Sequence, residues 1–170
     1  MNNEETAMQM PQQIAKQLRD VCFGGNWTAV NLRDALAGLT WQQAVTPVYS
    51  LNTIATLVYH MGYYVSGVLK VLQGGPLDIK DKYSFDHPPI RSQEDWIEFL
   101  EKTWADVEAF AASIEKLPEE QLWSDFADGT YGHYYRNLTG IVEHIHYHLG
   151  QVVVIRKILD QMENKSDLNE

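Results

Sequence analysis

Apolar residues recur at helical spacing in four separate stretches of this chain, and no convincing run alternates polar and apolar as a half-buried strand does. The pattern predicts an all-α fold of four-helix-bundle type. The first stretch runs from about Pro11, a residue suited to a helix's first turn, through Ile14, Leu18 and Val21 towards Phe23, where Gly24-Gly25 ends or bends it. After Asn26-Trp27-Thr28, a short amphipathic piece with Val30, Leu32, Leu36 and Leu39 stops before Thr40-Trp41 and Pro47, so the first arm is expected to be kinked or in two parts. The second helix should begin near Ser50 or Asn52, either of which could cap it, and carry Ile54, Leu57, Val58, Met61, Val65, Val68, Leu69 and Leu72 until Gly74-Gly75-Pro76 ends it. Residues 76–91 then form a polar connection longer than bundle neighbours need, which suggests an overhand crossover. Ser92-Gln-Glu-Asp95 reads as the cap of a third helix with Trp96, Phe99, Leu100, Trp104, Val107, Phe110, Ile114 and Leu117 at helical spacing, closed by Pro118. A loop rich in Asp, Gly and Tyr from Glu119 to Arg136 leads into the last helix, and a polar tail from about Gln161 is expected to fray.

That last helix carries the chemistry. Within Gly140-Ile-Val-Glu-His-Ile-His-Tyr-His-Leu-Gly-Gln-Val-Val-Val-Ile-Arg-Lys-Ile-Leu159, His144 and His148 stand four residues apart, about one turn, so both imidazoles leave one face. They interrupt the stripe Leu138, Ile141, Ile145, Val152, Ile155, Leu159 that should face a core. An unpartnered buried polar group costs about 1 to 3 kcal/mol, so two neighbouring histidines there need either satisfied hydrogen bonds or a metal. His60, bordering the apolar stripe of the second helix, is the natural third ligand, against the plainer reading of a boundary histidine bonded to a neighbouring helix. His146 lies about 200° round the helix from His144 and cannot join them without breaking the helix. It falls among Val142, Leu149 and Val153, a second apolar side that predicts a homodimer packed partly through this helix, against the plainer reading of a thicker core closed by the first arm.

Three neutral histidines without a carboxylate suit a borderline divalent ion such as zinc or nickel and leave at least one coordination position open, for a water of lowered pKa or a substrate thiolate or alkoxide. Around it, Trp27, Tyr64 and Tyr131 are candidate pocket walls, and Gln151, one turn after His148, is placed to orient a ligand or the imidazole. Glu143 adjoins His144 but is turned about 100° away, so surface and supporting roles both stay open. His133 and its neighbouring tyrosines could line a pocket mouth or simply seal the bundle's end, and His87, ahead of two prolines, reads as a solvated loop residue.

At 170 residues the chain, 1–170, is most simply one domain. Cys22 is the only cysteine, which excludes an intramolecular disulfide and a thiolate zinc cluster and suits a reducing compartment. A formal charge of −10, from 23 acidic and 13 basic side chains with no basic cluster, opposes a phosphate backbone, so nucleic acid is not an expected partner. The start, Met1-Asn-Asn-Glu-Glu5, lacks the regions of a signal peptide, and no apolar run approaches a membrane span. A cytoplasmic protein acting on a small molecule is the expectation.

His60 within Asn52-Thr-Ile-Ala-Thr-Leu-Val-Tyr-His-Met-Gly-Tyr-Tyr64, Glu143-His-Ile-His-Tyr-His-Leu-Gly-Gln151, and the opening Gly24-Gly-Asn-Trp-Thr28 with Leu36-Ala-Gly-Leu-Thr40 together resemble the DinB/YfiT-like family of metal-dependent enzymes. The resemblance covers about residues 10–160 and includes the helix order and the crossover. It implies a four-helix bundle in up-down-down-up order, nickel or zinc on His60, His144 and His148, and homodimers. Some relatives are S-transferases that use bacillithiol, mycothiol or glutathione, with the metal activating the thiol. His146 and Leu149 stand where family members often carry other residues, so the resemblance does not supply the substrate pocket. A metal-dependent hydrolase and a non-catalytic, stress-associated metal-binding dimer are the alternatives.

Overall fold

The structure, a computed structural model, describes residues 8–167, with side chains in the last helix as far as residue 164. The leaderless start expected at Met1–Glu5 and the end of the tail, 168–170, lie outside the described residues. Among these, six α-helices follow one another: α1 Met10–Phe23, α2 Leu32–Leu36, α3 Trp41–Val45, α4 Ile54–Leu72, α5 Gln93–Ile114 and α6 Tyr134–Asp167. Short 3-10 turns at Asp81–Tyr83 and Glu119–Trp123 interrupt the connections before α5 and α6. The all-helical reading is therefore correct. Each of α1 and α4 packs on both α5 and α6, and the short α2 and α3 lean on that group.

The first arm is in three parts rather than two. Gly24, at φ +118°, ends α1 in a backbone conformation that side chains disfavour. Asn26 then clasps the turn, its Nδ2 donating to the carbonyls of Asp20 at 2.9 Å and Val30 at 2.7 Å. Asn31 caps α2. Thr40, where the sequence suggested only a stop, caps α3 through the Thr-x-x-Gln pattern, with the Gln43 amide hydrogen bonding to its hydroxyl and the Gln43 side chain reaching back to the Thr40 amide. The cap of α4 is Thr53, beside the first apolar residue Ile54, and neither Ser50 nor Asn52. Ser92 caps α5 as read, although the Asp95 carboxylate accepts from the Arg91 amide, one residue earlier than a capping box requires.

Two corrections concern α6. It begins at Tyr134, inside the expected loop, and it continues through the expected frayed tail to Asp167. Gln43 of α3 donates to both carboxylate oxygens of Glu163 at 2.8 Å, a tie across 120 residues that holds the extension. Val142 and Leu149 are buried within the chain itself, while Val153 stays half-buried. Burial within the chain thus accounts for most of the second apolar side. Arg19 of α1 adds an ion pair to Glu108 at 3.0 Å and a second to Glu115, both on α5. No helix among the described residues is long and apolar enough to cross a membrane.

Candidate metal centre

Only five polar or charged side chains are buried among the described residues, and His60 and His148 are two of them, each 7% exposed. Helix α4 carries His60 to its inner face, and the one-turn spacing on α6 brings His144 and His148 to meet it. The His144 Nε2 lies 3.1 Å from the His60 Nε2 and 3.0 Å from the His148 Nε2, and the three ligand nitrogens all fall within 4.8 Å of one another. Nitrogens sharing a tetrahedral zinc ion at 2.0 to 2.1 Å stand roughly 3.3 Å apart, a spacing that the two distances from His144 approach, while His60 and His148 would close on each other to hold one.

The outer nitrogens decide what the inner ones can do. The His60 Nδ1 lies 3.2 Å from the Ser84 carbonyl, an atom that can only accept, so this nitrogen carries the proton and the His60 Nε2 keeps a lone pair. The His148 Nδ1 lies 2.6 Å from the Gln151 side-chain oxygen, and the same reasoning frees its Nε2. Two lone pairs then face the His144 Nε2, which has at most one proton to give. A divalent ion at their meeting point satisfies all three nitrogens together. Burial first, and then the neighbouring His148 and His60, push the His144 imidazole down to about 4. Burial and His148 also lower His60. Neutral imidazoles are the form that binds metal.

Aromatic rings fix the orientations. Phe85 stacks on His60, with centroids 4.0 Å apart and planes 12° from parallel, and Tyr64 sets its edge against His60 and His144 at 5.1 Å from each. Tyr147 does the same to His148 at 4.8 Å. The crossover between α4 and α5 supplies Ser84, Phe85 and Asp81, whose carboxylate accepts from the Tyr64 hydroxyl at 2.9 Å. The segment reaches α4 at Gly67, where an added Cβ would fall 2.5 Å from the Ile79 side chain. Sequence reading missed these supporting residues. Leu77, Ile79, Phe85 and Ile90, set among charged residues and prolines, were the trace of an inward path.

His144 opens onto a cavity of about 790 Å³ bounded by Tyr64 and Val68 of α4, Ile79 and Asp81 of the crossover, and Phe126 and Tyr131 of the turn before α6. The expected walls Tyr64 and Tyr131 therefore line it. Glu143 does too, so the turn that separates it from His144 still leaves it on the cavity rim. Gln151 acts on His148 instead of lining the space. Trp27 is a correction: it is fully exposed at 101%, because the hydrogen bonds of Asn26 and Thr28 close the turn backbone beneath it and leave its side chain in solvent. His146 bonds the Val142 carbonyl of its own helix at 3.1 Å, His133 is an exposed residue 3.8 Å from Asp125, and His87, expected to be solvated, is half-buried in the crossover with its ring 6.4 Å from that of Tyr59. None of these joins the cluster.

Comparison with family models, with curated proteins and with solved structures finds no match to this chain.

Proposed function

We propose that this chain is a metal-dependent enzyme, with zinc or nickel held by His60, His144 and His148 and a small-molecule substrate in the adjoining cavity. The observation that carries the reading is the convergence of three Nε2 atoms, two with their lone pairs aimed inward by the Ser84 carbonyl and the Gln151 side chain. Bound there, the ion would lower the pKa of a thiol or water reaching its open side. Structural zinc sites use four protein ligands, and among the described residues only three converge here, which favours chemistry over stapling.

Within that class we favour an S-transferase using a low-molecular-weight thiol, the activity implied by the DinB/YfiT-like resemblance. A sulfur–carbon bond forms, the bond from that carbon to the leaving group breaks, and the thiol proton passes to a carboxylate of the cavity wall, Glu143 or Asp81. The presence of Glu143 on the cavity beside His144 also supports a second reading, hydrolysis, in which this carboxylate takes a proton from the attacking water. The up-down-down-up order and the homodimer belong to the same proposal, with the exposed Tyr147 and Val154 of α6 available to a second copy.

Elemental analysis of protein purified without a metal-affinity column tests the centre, comparing wild type with His60→Ala and His148→Ala. About one zinc or nickel per chain, lost in both variants, is the expected outcome. Folded wild type that carries no metal and takes up none overturns it. Panels of thiol–electrophile pairs and of esters then separate transfer from hydrolysis, and turnover of neither leaves a metal-binding protein without catalysis.

A further inference from the structure

The most informative feature of the cavity is a glycine. Gly140 lies inside α6, where glycine weakens a helix, and a Cβ built on it meets no atom within 4 Å. Packing does not require it, in contrast to Gly67, which the Ile79 side chain crowds. Gly150, on the same helix, is also unhindered but faces solvent. Gly140 instead lines the cavity, one turn before His144 and three residues after Asn137, so the three share a face. From Asn137 to His144 the helix rises roughly 10 Å. Over that length the space is flanked by the buried Val68, Phe126 and Ile141 and by the half-buried Leu77 and Ile79. Polar groups share the lining, several of them tied within the turn before α6: Arg136 donates through its Nη1 to the Tyr131 carbonyl at 2.7 Å, Asn137 to those of Tyr131 and His133 at 3.1 and 2.9 Å, and the Asp128 carboxylate accepts from the Thr130 amide at 3.0 Å. A cavity of about 790 Å³ falls within the range of small-molecule sites.

We propose that the cavity takes an elongated small molecule with an apolar chain roughly 10 Å long, which lies along α6 across Gly140 and presents its metal-binding head at His144. The inference rests on the metal-dependent reading above and adds to it the class of substrate. Gly140 is then a specificity-determining residue, since any side chain there occupies the path of the chain.

Calorimetric titration of the zinc-loaded protein with acetohydroxamate, hexanohydroxamate and octanohydroxamate tests it, because the head is constant and only the chain grows. Binding should tighten about twofold to fourfold per methylene in wild type. Gly140→Leu should remove that gain, binding octanohydroxamate at least tenfold more weakly while leaving acetohydroxamate unchanged, and Gly150→Leu should behave as wild type. Affinity that ignores chain length, or Gly140→Leu binding the long chain as wild type does, overturns the proposal. Failure to take up zinc, or to bind even acetohydroxamate, counts instead against the metal reading. The chain preference is then read on metal-free protein with 1-hexanol and 1-octanol, followed by backbone amide shifts around residue 140. A preference for the longer alcohol that Gly140→Leu abolishes sustains the cavity inference, and its absence overturns it.

Discussion

The centre is assembled from two kinds of structure. Its ligands stand on regular helices, where the rise and turn of α6 alone put His144 and His148 side by side. Its supports come largely from the irregular crossover, which brings Ser84, Phe85 and Asp81 to the site and meets α4 at Gly67, at Tyr63 through the Lys80 backbone and at Tyr64 through Asp81. The helical part is set by local geometry, and the crossover part by contacts between residues far apart in the chain, of which Ile79 against Gly67 is the tightest. The two should therefore fail in different ways when disturbed.

The largest effect is expected from His144→Leu, which removes the nitrogen shared by both inner contacts. Zinc uptake should be lost in a metal titration, while urea unfolding of the metal-free protein stays within about 1 kcal/mol of wild type, because an apolar side chain suits a half-buried position. Loss of the fold instead would mean that the helical part depends on its ligands. Next, Gln151→Ala frees the His148 ring on the helical side and should weaken zinc binding about 10- to 100-fold with little change in melting temperature. On the crossover side, Gly67→Ala must displace Ile79, at a cost of about 1 to 3 kcal/mol that a gain of up to about 1 kcal/mol in helix propensity partly offsets. Its signature is weaker zinc binding and a lower melting temperature together, and unchanged zinc affinity would show that Ser84 does not depend on this contact.

A further effect is a pH dependence of the metal-free protein. The His144 imidazole is pushed from 6.5 to about 4 in the fold, so between those values the unfolded chain binds a proton that the folded chain refuses. Stability should be constant from this group above pH 6.5, fall as the pH drops from 6.5 towards 4, and level off below. His60 shifts in the same direction and adds the same sign. Urea unfolding across that range checks it, and a flat profile would mean that the rings are less buried than the packing indicates.

Much of the helical part is legible in the amino-acid sequence. Periodicity locates the four longer helices, the one-turn interval pairs His144 with His148, and the edge of an apolar stripe picks out His60. The crossover is legible as a length and not as a path. The partner of His60 is a backbone carbonyl, which every residue possesses, so nothing about the identity of Ser84 marks it. Trp27 misleads for a related reason, since an aromatic side chain in a turn carries no signal of direction. At Thr40 the signature is present but reads as an end, because a helix of five residues is too short to show a period.

The one-sided opening of the centre has a kinetic corollary. His60 and His148 are sealed beneath Phe85 and Tyr147, whereas His144 faces the cavity, so traffic between the three nitrogens and solvent passes the place where the apolar chain is proposed to lie. Occupancy of that place should slow both loading of the ion and its extraction by a chelator, even where the equilibrium affinity of the histidines is unchanged.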